Sequence, residues 1–461
     1  MDLNLPRALK AGGWQSKLAI LPQAVQASLE VLRGERQELP QFANSLALIL
    51  GRMAASGLGF LTWLVLARLY APREVGLASG LVSATMLLVQ LSLLGVGAAF
   101  IARYPHYRDN PVRLLDSALS LVSAASLLGA GIFILLSSRF FNELSIVAEQ
   151  PGYAVLFLGM ALFGGMNSLL DSFSIALRRS DQVLLRNILF GVVTISLGAM
   201  FPLLFAAQGS INIITGWVLA GLGACSLWAV QLWQALKGYL FQPRLDLGIT
   251  RQLIRSGLPN YLLTLSERAP NWVLPILVTE LISPVENARW YAVWMMAWVV
   301  YQIPISVGQN LFAEVSRSPD QLKRLVAHSQ RTSLLLGGLA GLVMLILAPL
   351  FLSLLGRDYA ESGTSALRIL SLAVYPTIFI QAYYAVCRGT SRLREATLMG
   401  LATGVAGTLA AAVVGLSYGL AGMATAWLVV QSAAGAWAAW RTHLLARQIE
   451  TKVSQIPAEP A

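Results

Sequence analysis

The feature that limits this chain most is a succession of long apolar runs. They cover residues 43–69, 75–102, 114–137, 153–177, 183–207, 211–236, 256–282, 287–314, 325–354, 364–387, 394–416 and 419–441. About 20 apolar residues suffice for a helix to cross the hydrocarbon core. In lipid every backbone polar group must be satisfied within the protein, so a single run can cross only as a helix. The pattern predicts an all-α integral membrane protein with 12 transmembrane helices.

Charge supports that reading. Charged residues make up 12% of the chain, against about 25% in soluble domains. A net charge of +11 taken alone suggests a nucleic-acid partner, but the basic residues sit in short loops between apolar runs. Loops after even-numbered runs carry Arg103, Arg108 and Arg113; Arg178, Arg179 and Arg186; Lys237, Arg244, Arg251 and Arg255; Arg317, Lys323, Arg324 and Arg331; and Arg388, Arg392 and Arg394. Loops after odd-numbered runs carry only Arg68, Arg73, Arg139, Arg289 and Arg357. Basic loops stay in the cytoplasm, which places both termini there. No nucleic-acid partner is expected.

One unit is written twice. Pro72 and Glu74 of LYAPREVG answer to Pro284 and Glu286 of LISPVENA, 212 positions on. Arg178 and Arg388, Gly209 and Gly419, and Trp217 and Trp427 are 210 apart. Six runs per half is an even number, so both halves enter from the same side as a parallel repeat. In transporters built this way the substrate site lies between the halves. The expected division is an interfacial segment 1–42, a six-helix bundle 43–236, a cytoplasmic linker 237–255, a second six-helix bundle 256–441 and a cytoplasmic tail 442–461.

Several chemistries are excluded. Cys225 and Cys387 lie in apolar runs far apart, and the chain has three histidines, so no metal or thiol site is indicated. No Walker pattern and no GxGxxG after a strand occurs. No cofactor is expected, apart from a proton or sodium ion for coupling.

Further motifs stand in order along the chain: Leu94-Gly95-Val96-Gly97 at the end of run 2, Ile254-Arg255-Ser256-Gly257-Leu258-Pro259 at the start of the second half, Pro304, Ser306, Gly308 and LFAEVSR at the end of run 8, and the LLGRDYAESG turn at 354–363. With the repeated turn they resemble the polysaccharide-transporter branch of the multidrug/oligosaccharidyl-lipid/polysaccharide exporter superfamily, similar to Wzx-type O-antigen and exopolysaccharide flippases. The resemblance covers about residues 43–441. It implies two six-helix bundles around a V-shaped central cleft and a lipid-linked oligosaccharide as substrate. It also implies a bacterial inner membrane, with a polysaccharide polymerase and a chain-length regulator as partners.

Ionisable residues inside apolar runs cost about 2.5–3.5 kcal/mol at the membrane centre and mark candidate sites. Arg268, in TLSERAPNWVLP, lies where Pro259, Pro270 and Pro275 interrupt run 7. A guanidinium there can grip a diphosphate with forked bonds; the alternative is a structural pair with an acid on another helix. Its neighbour Glu267 points about 100° away. Arg52, with Asn44 and Ser45, either lines the inward-facing mouth of the path or snorkels to headgroups. Asp171, beside Asn167 and Ser168, carries a proton or sodium ion, or pairs with Arg52; buried charge normally has a partner, which favours the pair. Trp290, Trp294 and Trp298 share a helix face with Tyr301 one step on. They stack on sugar rings or, the favoured reading, form a lipid-facing or interfacial stripe, with Trp290 in the belt. Gln302, Gln309, Tyr383 and Tyr384 are weaker polar candidates. Small-residue patterns such as Gly51…Gly57-x-Gly59, Gly95-x-Gly97 and Gly400…Gly404…Gly407 indicate close helix packing.

The function expected is translocation of a polyprenyl-diphosphate-linked oligosaccharide to the outer leaflet by alternating access. The protein is not expected to be an enzyme. The alternatives are a cation-coupled multidrug or metabolite antiporter of the same superfamily, and a non-transporting scaffold of a polysaccharide-assembly complex.

Overall fold

The computed structural model describes residues 41–107, 111–204, 209–235, 239–318 and 321–454, without the side chains of 41–49, 52, 53, 234, 235 and 449–454. The expected interfacial segment up to residue 40, and the side chains of Asn44, Ser45 and Arg52, lie outside the described residues.

Every regular element among them is helical. The first half holds α1 Gln41–Leu69, α2 Pro72–Leu93, α3 Val96–Arg103, α4 Pro111–Phe140, the single turn α5 Ile146–Glu149, α6 Pro151–Ala176, α7 Ser180–Leu204 and α8 Ser210–Ala235. The second holds α9 Leu247–Arg268, α10 Pro270–Leu281, α11 Pro284–Arg317, α12 Leu322–Ser353, α13 Arg357–Leu372, α14 Val374–Gly389 and α15 Leu393–Ser454. Among the described residues eight helices are long and apolar enough to cross a membrane, and α13 with α14, bent by 41°, makes a ninth. The chain is a multi-pass membrane protein.

Where described, the twelve apolar runs fall in helices, but several are broken or merged. Run 2 breaks at Leu94 and Gly95, both left-handed. Run 7 breaks at Ala269 and run 10 at Ala373. Runs 11 and 12 form one element with a kink at Gly419. The turn expected at 354–363 is shorter: Gly356, at φ +151°, precedes a helix that begins at Arg357. The expected tail at 442–461 starts as a continuation of α15, which runs to Ser454.

Local chemistry sets the helix starts. Pro opens α2, α6, α10 and α11, where its missing N–H is not needed. Ser283 Oγ accepts the Glu286 N–H at 3.1 Å, the cap half of a Ser-x-x-Glu signature. Pro72 and Pro284, paired in the repeat, thus occupy the same position in α2 and α11. Their companion acids are used differently. Glu74 accepts the Ser210 N–H at 2.6 Å, whereas Glu286 engages Arg289.

Helix α2 joins the halves along its whole length. At one end, a Cβ on Gly76 would overlap the Pro284 carbonyl. Only a glycine allows that approach. At the other end Gly95, at φ +77°, meets Gly257: an added Cβ would lie 2.5 Å from the Gly257 carbonyl carbon. Tyr261 donates its hydroxyl to the Gln90 carbonyl nearby. Among the described side chains, helix α1 meets the second half toward its C-terminal end. Trp63 meets Tyr291 with ring centroids 4.8 Å apart, and Arg68 donates to the Leu354 and Ser353 carbonyls at 2.8 and 2.9 Å. Further back, Gly57 and Gly59 would find nothing within 4 Å of an added Cβ. Close packing, expected at both, occurs at neither.

The connection between halves is strapped down. Helix α9 begins at Leu247, inside the stretch read as linker. Asp246 caps it, accepting from Gly248 and Ile249 N–H at 2.9 and 3.1 Å. The preceding residues follow one face of α4: Tyr239 donates to Asp116, Arg244 N–H to Ser120 Oγ at 3.0 Å, and Arg113 Nε to Asp246 at 3.0 Å. The Ile249 N–H, aided by Arg113, holds the Asp246 carboxyl below the usual aspartate range.

Candidate functional site

The site grows from the break between α9 and α10. Ala269 N–H still bonds Leu265 O at 2.8 Å, but Pro270 has no N–H to offer the carbonyl of Ser266. The chain turns there, and Arg268 becomes the last residue of α9. Pro259 and Pro275 lie inside α9 and α10. The interruption expected from the three prolines is therefore concentrated at one of them.

Two cavities share this corner. One, of about 240 Å³, lies between the halves; Val82, Ser83 and Met86 of α2 and Trp217 of α8 face Tyr291 and Trp294 of α11. The other, of about 70 Å³, lies within the second half among Glu267, Tyr301, Gln381, Tyr384, Trp427 and Gln431. Arg268, Asn271, Trp294 and Trp298 line both. One cation thus stands at the junction of an inter-half cleft and an aromatic side chamber.

The tryptophans are not a lipid-facing stripe. Trp290 is fully buried and Trp294 is 5% exposed, so Trp290 is no part of an interfacial belt. The reason is that α11 packs on α2 and α14 rather than at the rim. Trp290 and Trp294 stack at 5.5 Å, and Trp294 meets Trp427 edge-on at 5.1 Å. Trp294 Nε1 donates to Asn271 Oδ1 at 2.9 Å, which fixes the indole against the wall. Trp298 is half-buried and lines both cavities. Tyr301 lines the side chamber, but its hydroxyl is taken by the Leu370 carbonyl at 2.5 Å. Trp217 and Trp427, matched in the repeat, wall one cavity each.

The acids are both engaged by arginines. Arg388 Nη2 donates to Glu267 Oε1 at 2.8 Å. Asp171 pairs with Arg186; the pairing with Arg52 expected for it falls on a side chain outside the described residues. Arg186 had counted as a loop cation. It lies in α7 at 2% exposure, one turn beyond where the apolar run begins.

Gln302 is half-buried and lines neither cavity; Asn271, Gln381 and Gln431 supply the amides instead. Asn271, three residues past Arg268, stood inside the interrupted stretch and could have been read from it. Gln381 and Gln431 carry no local signal. The expected glycine packing at run 11 holds: a Cβ on Gly404 would lie 3.2 Å from the Ser266 carbonyl oxygen. Among the described residues no group of acids, histidines and cysteines could hold a metal ion.

The fold is similar to that of transporters of the MOP superfamily. The chain is similar to a multidrug resistance MATE family transporter solved in an inward-facing conformation: 14% identity, 88% of this chain and 99% of that one, TM-score 0.64. It is also similar to the outward-facing conformation of such a transporter (15% identity, 88% and 95% coverage, TM-score 0.59). A MOP superfamily transporter from Pyrococcus furiosus, described as having a binding pocket of reverse polarity, matches with 15% identity, 93% and 97% coverage and TM-score 0.58. No curated protein matches. Residues 42–312 match the family described as polysaccharide biosynthesis protein. The chain belongs to that family.

Proposed function

We propose that this protein is a flippase that moves a polyprenyl-diphosphate-linked oligosaccharide from the cytoplasmic to the outer leaflet of a bacterial inner membrane. The observation that carries the reading is Arg268 at the helix break, lining both cavities beside Trp294 and Trp298. A sugar hydroxyl buried without a partner costs several kcal/mol, so the head needs a polar, cationic path while the lipid tail stays in the bilayer. Arg268 holds the diphosphate with forked charge-assisted bonds. Trp294, Trp298 and the amides of Gln381 and Gln431 face the sugars. Arg52 serves the cytoplasmic mouth. The open side of α1 at Gly57 and Gly59 is where the tail lies. Both termini are cytoplasmic in this scheme, and a polymerase with its chain-length regulator receives the product.

Asp171 and Glu267 are both held by arginines. That favours the substrate's own charge as the driving term over uptake of a proton or sodium ion. About two negative charges leaving an inside-negative cell gain roughly 4–5 kcal/mol per 100 mV. A cation-coupled drug antiporter would want a carboxylate free to take the cation, and Asp171 and Glu267 are each already paired.

The test is reconstitution in liposomes with a fluorescent polyprenyl-diphosphate saccharide. Wild type should flip it, and Arg268→Ala should slow flipping at least tenfold with folded protein in equal amount. Normal flipping by that variant, or efflux of cationic dyes in place of lipid flipping, overturns the reading. A scaffold would tolerate neutralising every cavity residue.

A further inference from the structure

Beside the side chamber lies a second arginine, held by the chamber-lining Glu267. Arg388 and Glu267 form an ion pair at 2.8 Å, with side chains 18% and 12% exposed. The partners come from different elements, the last turn of α14 and the end of α9. Tyr384 lines the chamber one helical turn before Arg388, so the two share a face of α14. A Cβ on Gly400 would lie 3.0 Å from the Tyr384 hydroxyl and would also touch Ser266. Helices α9, α14 and α15 thus converge on the ion pair at the chamber wall, and Glu267 itself lines the chamber beside Arg268.

The charges do not match the proposed cargo at rest. Glu267, Arg268 and Arg388 sum to a single positive charge. A diphosphate joining a lipid to a sugar carries about two negative ones. Carboxylate and phosphate oxygens both accept from a guanidinium in the same forked geometry, so one arginine can exchange one for the other. An unpaired arginine at this depth would be costly in the empty protein. A carboxylate one residue from Arg268 removes that cost, and by doing so it occupies the donor a diphosphate would use.

We propose that Arg388 is a second diphosphate ligand and that Glu267 stands in for the phosphate while the site is empty. On loading, the diphosphate bridges Arg268 and Arg388 and Glu267 lets go. On release, Glu267 recaptures Arg388 and so helps to expel the anion. The proposal rests on the reading that the cargo carries a diphosphate, and it gives the site a built-in limit on affinity. No covalent step is involved.

The experiment measures binding of a polyprenyl diphosphate, the matching monophosphate and the neutral polyprenol to the full-length protein in nanodiscs. Wild type should prefer the diphosphate. Glu267→Gln keeps an oxygen for Arg388 but loses the competing charge. It should bind the diphosphate about tenfold more tightly, a gain of about 1.4 kcal/mol, with polyprenol binding unchanged. Arg388→Gln should bind the diphosphate more weakly, and the double variant should resemble Arg388→Gln. Melting curves for each variant report folding separately.

If Glu267→Gln binds the diphosphate no better than wild type while Arg268→Ala binds it worse, the exchange is wrong and the diphosphate reading survives. If wild type binds polyprenol as well as it binds the diphosphate, both fall.

Discussion

The Asn287 side-chain amide donates to the Gly76 carbonyl at 2.8 Å and to Ser79 Oγ at 3.0 Å, across the seam between the two halves. Asn287 is fully buried, and the contact sits where Gly76 touches Pro284. The seam is therefore both tight and polar at this end. Gly76→Ala must separate α2 from α11, because its Cβ would meet backbone and not a movable side chain. Overpacking of this kind costs about 1–3 kcal/mol. The expected outcome is a lower melting temperature for Gly76→Ala and, through lost hydrogen bonds, for Asn287→Ala. An unchanged melt for both would show that the seam gives way freely.

The α1 side should behave differently. Arg68 is exposed, and its two bonds to the Ser353 and Leu354 carbonyls compete with water. Their loss should cost about 1 kcal/mol or less, the range of exposed polar contacts. The same loss frees α1 from the α12–α13 turn. Spin labels at Leu61 of α1 and at Glu361, both exposed, should report a longer distance population in Arg68→Ala. A distance distribution identical to that of the parent would place the restraint elsewhere, at Trp63 and Tyr291.

Much of this was legible from the chain. Apolar runs located the long helices among the described residues, since membrane spans leave a clear length and composition. The repeated Pro72 and Pro284 did mark equivalent helix starts, because Pro at a first helical position is a local rule. The break beside Arg268 followed from Pro270. What was missed depends on which way a helix is turned. Trp290 and Trp294 have an aromatic spacing that suits lipid and core equally, and only the neighbours α2 and α14 decide it. The sequence offers Arg52 to Asp171 because both are charges in apolar runs, and that pairing lies outside the described residues; the structure adds Arg186. Arg186 looked like a loop residue, since positional counting cannot see a helix that starts at Ser180. Arg388 was likewise counted with a loop and proves to reach Glu267, 121 residues earlier.

Trp294 should be sensitive to its single polar atom. Its Nε1 bond to Asn271 orients both the indole and the amide at the junction of the cavities. Trp294→Phe keeps the aromatic face and removes the donor, at about 1 kcal/mol of stability. Trp294→Ala also opens a cavity and should cost about 3–5 kcal/mol. If the ring serves as a platform for sugar, Phe should retain most flipping activity and Leu should not. Equal activity of the Phe and Leu variants would reduce Trp294 to packing.

The strap to α4 should be acid-labile. Asp246 is held below the ordinary carboxylate range by the Ile249 N–H and then by Arg113. A depressed folded value means that its contribution is complete above the unfolded value and is lost as pH falls through the folded one. Protection of the 239–246 amides from hydrogen exchange should therefore decline below the ordinary aspartate range. Asp246→Asn should show the reduced protection already at neutral pH, with no further decline from this residue on acidification. A variant as well protected as the parent would assign the strap to Tyr239 and Asp116 alone.

Asp171 and Arg186 distinguish a brace from a carrier. Arg186 is 2% exposed and donates to Asp171, so Asp171→Asn leaves a buried guanidinium without its counterion. Breaking such a pair costs about 3–5 kcal/mol, whereas replacing both partners by neutral groups of similar size is often harmless. Asp171→Asn alone should therefore melt far below wild type, and adding Arg186→Gln should restore most of the loss. The rescued double variant then tests transport without confounding it with folding. An acid that takes up a proton or sodium ion in each cycle cannot be replaced by an amide, and the double variant would flip slowly or lose its dependence on the ion gradient. A brace can be replaced. Because Asp171 already neutralises the buried Arg186, the expected result is a double variant that folds and flips at close to the wild-type rate.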